Sequence, residues 1–237
     1  MCLALFYHIF DIFSNIVYND KRGADGTRNK CQTTKERRKT MKKIPMMFQM
    51  VLDDKGNRVI KNQINPKVAH ITDAVPTFKK DGTAAMFDGN TWFVRRAVKA
   101  GKNAPDGFIA LETDPNTGTT FGWEPAASSG FKKMLNQAIE GKTFTPGTFE
   151  LVGEKINRNP ENVKGHKLLA HGADIAENIP TINEIFSNDD PIGLLKPIFT
   201  TFKDKGIEGI VWWVDDTPVI KLRVKDFFPE LDSRFKI

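Results

Sequence analysis

The sequence predicts an α+β fold of mostly antiparallel strands with flanking helices. Three observations carry this. Short apolar runs recur at close spacing, separated by turn residues such as Asp81-Gly82 and Asp88-Gly89-Asn90. One stretch, residues 128–140, has clear helical periodicity. The last two apolar runs, 208–214 and 219–224, flank an Asp215-Asp216 turn and read as a strand pair.

In chain order, residues 44–51 are mostly apolar and precede Asp53-Asp54-Lys55-Gly56-Asn57 and then Arg58-Val59-Ile60, a hairpin pattern. Residues 74–79 and 83–87 flank Asp81-Gly82 and are expected to form the next hairpin, followed by strands at 91–98 and 108–112. In 128–140, Phe131, Met134, Leu135, Ala138 and Ile139 repeat at helical spacing, Ser128 or Ser129 is a candidate cap, and Gly141 is the stop. A strand is expected at 148–153, and short helices near 181–187 and 191–204.

Composition bounds the function classes. Hydrophobic content of 40% and charged content of 27% are ordinary for a globular protein. The formal charge of +6 invites a nucleic-acid reading, but it is unevenly spread. Residues 1–40 hold 8 Lys and Arg against 4 Asp and Glu, whereas 41–237 hold 27 against 25. A nucleic-acid surface on the main body must therefore be a local patch. Both cysteines, Cys2 and Cys31, and both tyrosines lie in the first 40 residues, so no disulfide framework or zinc cluster is available. A cytoplasmic location fits this usage.

Residues 1–40 differ from the rest. The apolar run 1–18 lacks a positive leading region, contains Asp11 and has no small-residue cleavage site, so it does not match a signal peptide. It is also interrupted too early to span a membrane. Codons for Lys35-Glu36-Arg37-Arg38-Lys39-Thr40-Met41 can include a purine-rich ribosome-binding sequence at natural distance before the Met41 codon. The expectation is that Met41 is the native start, residues 1–40 are translated leader, and the source is bacterial or phage. The alternative is a basic arm for nucleic acid.

Four patterns carry chemistry. Lys79-Lys80-Asp81-Gly82 is K-x-D-G, which about one in twenty unrelated chains of this length contains by chance. Taken alone it reads as a charged turn. Phe149-Glu150-Leu151-Val152-Gly153 alone reads as a core strand, Glu208-Gly209-Ile210-Val211-Trp212 as an edge strand, and Lys221-Leu222-Arg223 as two cations on one strand face. Their order changes the reading. The series resembles the covalent lysine nucleotidyltransferases: ATP-dependent DNA and RNA ligases and mRNA capping enzymes. Glu150 to Pro160 (ELVGEKINRNP), Leu168 to Ala173 (LLAHGA), Ile207 to Trp212 (IEGIVW), and Glu112 with Gly122-Trp123 resemble, more narrowly, the ATP-dependent RNA 5′-to-3′ ligase family. The resemblance covers residues 70–226.

That resemblance implies a nucleotidyltransferase (ATP-grasp-like ligase) domain over 41–237, with ATP as nucleotide, Mg²⁺ or Mn²⁺ as metal, and RNA with 5′-phosphate and 3′-hydroxyl ends as substrate. It implies three steps: lysine attack on the α-phosphate, AMP transfer to the RNA 5′-phosphate, and attack by the 3′-hydroxyl with release of AMP. Lys79 is the implied nucleophile, since only it has Asp-Gly at the required offset. A free lysine titrates at about 10.4 and must lose its proton to attack. Gly82 is expected to turn the backbone tightly beside the nucleotide, with Thr77 and Phe78 near the base. Arg95 is expected at the nucleotide, Glu150 at the ribose hydroxyls and Phe149 at the adenine. Glu208 is the implied metal ligand. Lys221 is expected to neutralise the α-phosphate in the transition state, and Arg223 to contact phosphate or RNA.

Phe78 departs from the family, which often carries an acidic residue before the nucleophile, so the choice of adenine over guanine is open. RNA contacts are expected on local patches of the nucleotidyltransferase domain or on residues 1–40. For His171 a structural hydrogen-bonding role is expected; His166 and Glu112 carry no assigned role, and the four tryptophans are expected in the core. The same-chemistry alternative is a DNA ligase or capping-type enzyme. The alternative of another class is a non-catalytic RNA-binding protein with the same fold.

Overall fold

The computed structural model describes residues 41–54 and 56–231. The expectations for residues 1–40 lie outside the described residues. The described strands are β1 (Phe48–Leu52), β2 (Arg58–Ile64), β3 (Val75–Lys79), β4 (Thr83–Phe87), β5 (Trp92–Val98), β6 (Ile109–Thr113), β7 (Thr120–Pro125), β8 (Gly147–Gly153), β9 (His166–Ala170), β10 (Gly209–Val214) and β11 (Thr217–Arg223). The α-helices are α1 (Lys132–Ile139), α2 (Ile182–Phe186), α3 (Pro191–Lys205) and α4 (Val224–Phe227). Every pair of these strands is antiparallel, and the α+β class follows.

The strands form three sheets: the β1–β2 hairpin, a three-stranded sheet in the order β11-β10-β3, and a six-stranded sheet in the order β6-β7-β5-β4-β8-β9. The hairpin expected around Asp81-Gly82 does not form. β3 pairs with β10, and β4 pairs with β5 and β8, so Lys80 to Gly82 carries the chain from one sheet to the other. The physical reason lies at Gly82. A Cβ there would sit 2.3 Å from the Leu151 carbonyl oxygen, so the crossing is pressed onto β8 and only glycine fits. Gly82 is thus required by close approach and not by a tight turn.

Period-two alternation decides what each face of the three-stranded sheet carries. Phe78, Ile210 and Leu222 stand side by side across β3, β10 and β11, as do Pro76, Trp212 and Ile220. Ile210, Trp212, Ile220 and Leu222 are fully buried there against Leu195, Phe199 and Phe202 of α3 and Ile182 and Ile185 of α2. Each such large apolar side chain contributes about 1.5–3 kcal/mol on burial. α3 is well bounded: Asp190 accepts from the Gly193 N–H at 2.9 Å, Pro191 occupies the first turn, and Gly206 closes it at φ 70°.

The six-stranded sheet packs one face on α1, with Ala85, Val94 and Leu151 meeting Leu135 and Ala138. Ser129 does not cap α1 directly. Its Oγ accepts from the Phe131 N–H at 3.1 Å after a 3₁₀ turn over Ala126–Ser128, and the helix begins at Lys132. β7 and β9 are additions to the strands that the sequence pattern predicts. Trp123 and Trp212 are fully buried, in line with the core reading of the tryptophans. No helix among the described residues is long and apolar enough to cross a membrane.

Candidate active site

The other face of the three-stranded sheet holds a different set of residues. Thr77, Val211 and Lys221 lie in one row across it, and Lys79, Gly209 and Arg223 in the next. Opposite residues in an antiparallel pair share a face, so strand pairing gathers Thr77, Lys79, Lys221 and Arg223 on one surface. Gly209, between Lys79 and Arg223, leaves that row open; a Cβ there would meet the Leu222 carbonyl oxygen at 2.2 Å. On the six-stranded sheet, Ala84, Glu150 and Leu169 form a row. A cavity of about 630 Å³ is lined by these two surfaces, including Thr77, Lys79, Ala84, Glu150, Leu169 and Trp213.

Lys79 ends β3, and its Nζ lies 2.6 Å from Glu208 Oε2, just before β10. Burial pushes the Glu208 carboxyl above the usual carboxylate range. Lys79 opposes this, while the nearby Asp81 and Glu150 carboxylates reinforce it. Lys80 has other partners: its ammonium is 2.6 Å from Asp174 and 3.8 Å from Glu161. The two adjacent lysines thus line the same cavity with different partners, Lys79 with Glu208 and Lys80 with Asp174 and Glu161.

Both Glu150 oxygens are held. Oε1 accepts from the Gly82 N–H at 3.0 Å, and His171 Nε2 donates to Oε2 at 2.7 Å. The His171 ring stacks on Trp213 with centroids 6.1 Å apart, and its Nδ1 is buried with no partner among the described residues. Trp213 Nε1 donates to Thr77 Oγ1 at 2.9 Å, and that hydroxyl donates to the Val211 carbonyl at 3.2 Å. Thr77 therefore ties the cavity wall together.

The loop after β8 secures the sheet crossing. Asn157 donates to Asp81 Oδ1 at 2.8 Å and to the Gly82 carbonyl at 2.9 Å, and Glu161 accepts from the Asp81 N–H at 3.0 Å. Asn157 and Asn159 take left-handed backbone with φ 46° and 58°, which asparagine tolerates. The sequence signal for this brace is the Ile156-Asn157-Arg158-Asn159-Pro160 stretch, whose individual residues carry no role in the sequence reading. Asp174 and Glu161 also escape that reading, since neither belongs to a short motif.

Several expected residues are placed differently. Phe149 lies in register with Ala85 and Ala170, on the α1 side of the sheet and the opposite face from Glu150. Its ring packs on Trp92 and Phe144, each at 5.5 Å, and it does not line the 630 Å³ cavity. Phe78 borders the cavity, but its ring meets Phe202 edge-on at 5.8 Å on the core side. Arg95 lies 3.6 Å from Glu112 and over the Trp123 ring at 5.6 Å, and its guanidinium also donates to the Met41 carbonyl. It does not line the 630 Å³ cavity. Glu112 thereby gains a role as the Arg95 partner. Arg223 is fastened to Asp226 at 2.8 Å.

Lys221 is held between strands: its N–H donates to the Pro45 carbonyl, and its carbonyl accepts from the Met47 N–H. Burial, then the Arg223 and Lys79 charges, lower its ammonium pKa to about 8. His166 Nδ1 donates to Gln137 Oε1 at 2.7 Å, away from these groups. Among the described residues, no cluster of three or more His, Cys, Asp or Glu side chains is arranged to hold a metal. No protein-family model matches the chain, and no curated protein matches it.

Proposed function

We propose that the protein is an ATP-dependent RNA ligase that joins 5′-phosphate and 3′-hydroxyl ends through AMP attached to Lys79. One observation carries the reading. Two lysines, Lys79 and Lys221, stand on one sheet face with Glu208 against the first; Glu150 lines the Lys79 cavity from the second sheet, and Lys221 borders the space beside it. The K-x-D-G, F-E-L-x-G, E-G-I-V and K-x-R patterns lie far apart in sequence, and four separate strand contexts bring them to one place.

In this reading the Lys79 nitrogen attacks the α-phosphorus. A P–N bond forms, the bond to pyrophosphate breaks, and the lysine proton has left beforehand, with Glu208 at 2.6 Å placed to receive it. Lys221 offsets the charge that gathers on the α-phosphate oxygens. Glu150, its carboxylate fixed by Gly82 and His171, is aimed at the ribose hydroxyls. An RNA 5′-phosphate oxygen then attacks the same phosphorus; the P–N bond breaks and the lysine nitrogen regains a proton. Finally the 3′-hydroxyl attacks the 5′-phosphorus of the activated end, AMP leaves, and the hydroxyl proton goes to solvent.

Glu208 fits a divalent ion held chiefly by water and substrate phosphates, because its second oxygen has no hydrogen-bond partner among the described residues. Mg²⁺ or Mn²⁺ held there would supply positive charge beside the phosphates. A panel of 5′-phosphorylated single-stranded RNA, nicked RNA and nicked DNA, incubated with ATP or GTP, tests the reading. Sealed RNA with ATP supports it. Sealing only of DNA, use of GTP alone, or RNA binding without any joining would each overturn it in favour of a DNA ligase, a capping-type enzyme or a non-catalytic binder.

A further inference from the structure

A second cavity, of about 960 Å³, lies beside the one that holds Lys79, between the β1–β2 hairpin, the β6–β7 region and β11. Ile44 lines both. Six cationic side chains border it: Lys43, Arg58, Lys67, Lys221, Arg223 and Lys225. Three carboxylates also border it, and each is engaged. Asp114 lies 3.3 Å from Lys43, Asp226 lies 2.8 Å from Arg223, and Glu112 lies 3.6 Å from Arg95. Arg58, Lys67 and Lys221 form no ion pair among the described residues. The cavity is therefore a concave surface with a positive surplus, although residues 41–237 as a whole are nearly balanced in charge.

We propose that this cavity binds the phosphodiester backbone of a single-stranded polynucleotide, with Arg58 and Lys67 as phosphate contacts that lead the strand toward Lys221. The placing of the 5′ end at Lys221 rests on the function proposed above; the backbone contacts do not. Repeated phosphates need cations spread along a path, and these come from separate elements: Arg58 opens β2, Lys67 follows it, and Lys221 lies on β11. Phe121, half-buried on the same wall, adds an aromatic surface of the kind on which unpaired bases stack. A concave space of this size admits a strand of a few nucleotides. Arg58 and Lys67 also lie before the region that resembles the ligase family, so no motif marks them.

The test is fluorescence anisotropy of a labelled 5′-phosphorylated oligoribonucleotide with the full chain, titrated at several salt concentrations. The double variant Arg58→Ala/Lys67→Ala is expected to bind at least about tenfold more weakly, with a salt slope smaller by about 1.4, since each single-strand phosphate that a cation neutralises adds about 0.7 to the slope. Both side chains are exposed, so thermal unfolding should match the parent. Lys132→Ala/Lys133→Ala, which removes two exposed charges from α1, is expected to bind like the parent. Unchanged affinity in the Arg58/Lys67 variant, or an equal loss in the Lys132/Lys133 variant, overturns the inference. So does equal affinity for a blunt RNA duplex. Intact mass of the parent after ATP treatment reads the other proposal separately. An AMP adduct with unchanged variant affinity sinks only this inference; absence of adduct sinks the proposed function, and the affinities still decide the cavity.

Discussion

Lys79 Nζ and Glu208 Oε2 stand 2.6 Å apart, although the two residues are 129 positions apart in the chain. The β3–β10 pairing makes this contact, since Lys79 is in register with Gly209. The carboxylate holds the amine in place, and in the proposed reaction it receives the lysine proton before the attack.

Glu208→Gln tests that contact. It removes the ion pair and, with it, the charge proposed to hold the metal. The expected result is a loss of about 1 kcal/mol in folding stability, since both side chains are only partly buried. Formation of the lysine–AMP adduct is expected to slow by at least about tenfold, the scale of losing one positioned acid–base group. The Mg²⁺ concentration needed for half-maximal rate should also rise. Denaturant unfolding and a metal titration of adduct formation check the two parts.

Lys221 sets a pH limit. Its pKa of about 8, against an ordinary 10.5, means that its charge is lost as pH rises through about 8. Adduct formation should fall above that pH, and Lys221→Arg, which stays charged, should move the falling limb beyond the measurable range. Stability behaves in the opposite sense. Between about 8 and 10.5 the unfolded chain holds this proton and the folded chain does not, so folding stability gains with rising pH there. Lys221→Met should remove that gain, as read by urea midpoints across the window.

Phe149 and Glu150 are neighbours on opposite faces, and their substitutions should separate. Phe149→Ala is expected to cost about 3–4 kcal/mol of stability by removing the packing on Trp92 and Phe144, with little change in ATP affinity of the folded protein. Glu150→Gln should do the reverse. A large loss of ATP affinity from Phe149→Leu, which keeps most of the volume, would place the ring at the nucleotide after all.

Gly82→Ala would push a methyl group to 2.3 Å from the Leu151 carbonyl oxygen. The expected cost is about 1–3 kcal/mol from overpacking. Because the Gly82 N–H holds Glu150, ATP affinity should fall with it. Calorimetric unfolding and equilibrium binding on the same protein check both.

The sequence makes some of this legible and hides the rest for physical reasons. The β1–β2 hairpin, α3 and the β10–β11 pair carry local signals: turn residues, a cap and alternating apolar runs. Strand partnership is not local. Asp81-Gly82 looks like a hairpin turn, and only the demand of Leu151 on Gly82, 69 residues away, makes it a sheet crossing. Lys79, Glu150, Glu208 and Lys221 can be picked out because ordered patterns contain them. The pattern around Phe149 does not state which face each residue takes; the register with Ala85 settles the face. Asn157, Glu161 and Asp174 brace the site through bonds across 75 to 94 positions, which no short motif encodes.

Intact-mass spectrometry of the protein after incubation with ATP and Mg²⁺ tests the attachment of AMP to Lys79 most directly. The parent should gain the mass of one AMP, the gain should vanish on adding pyrophosphate, and folded Lys79→Ala should show none. No gain by the folded parent, or an adduct that persists in Lys79→Ala, would contradict the account.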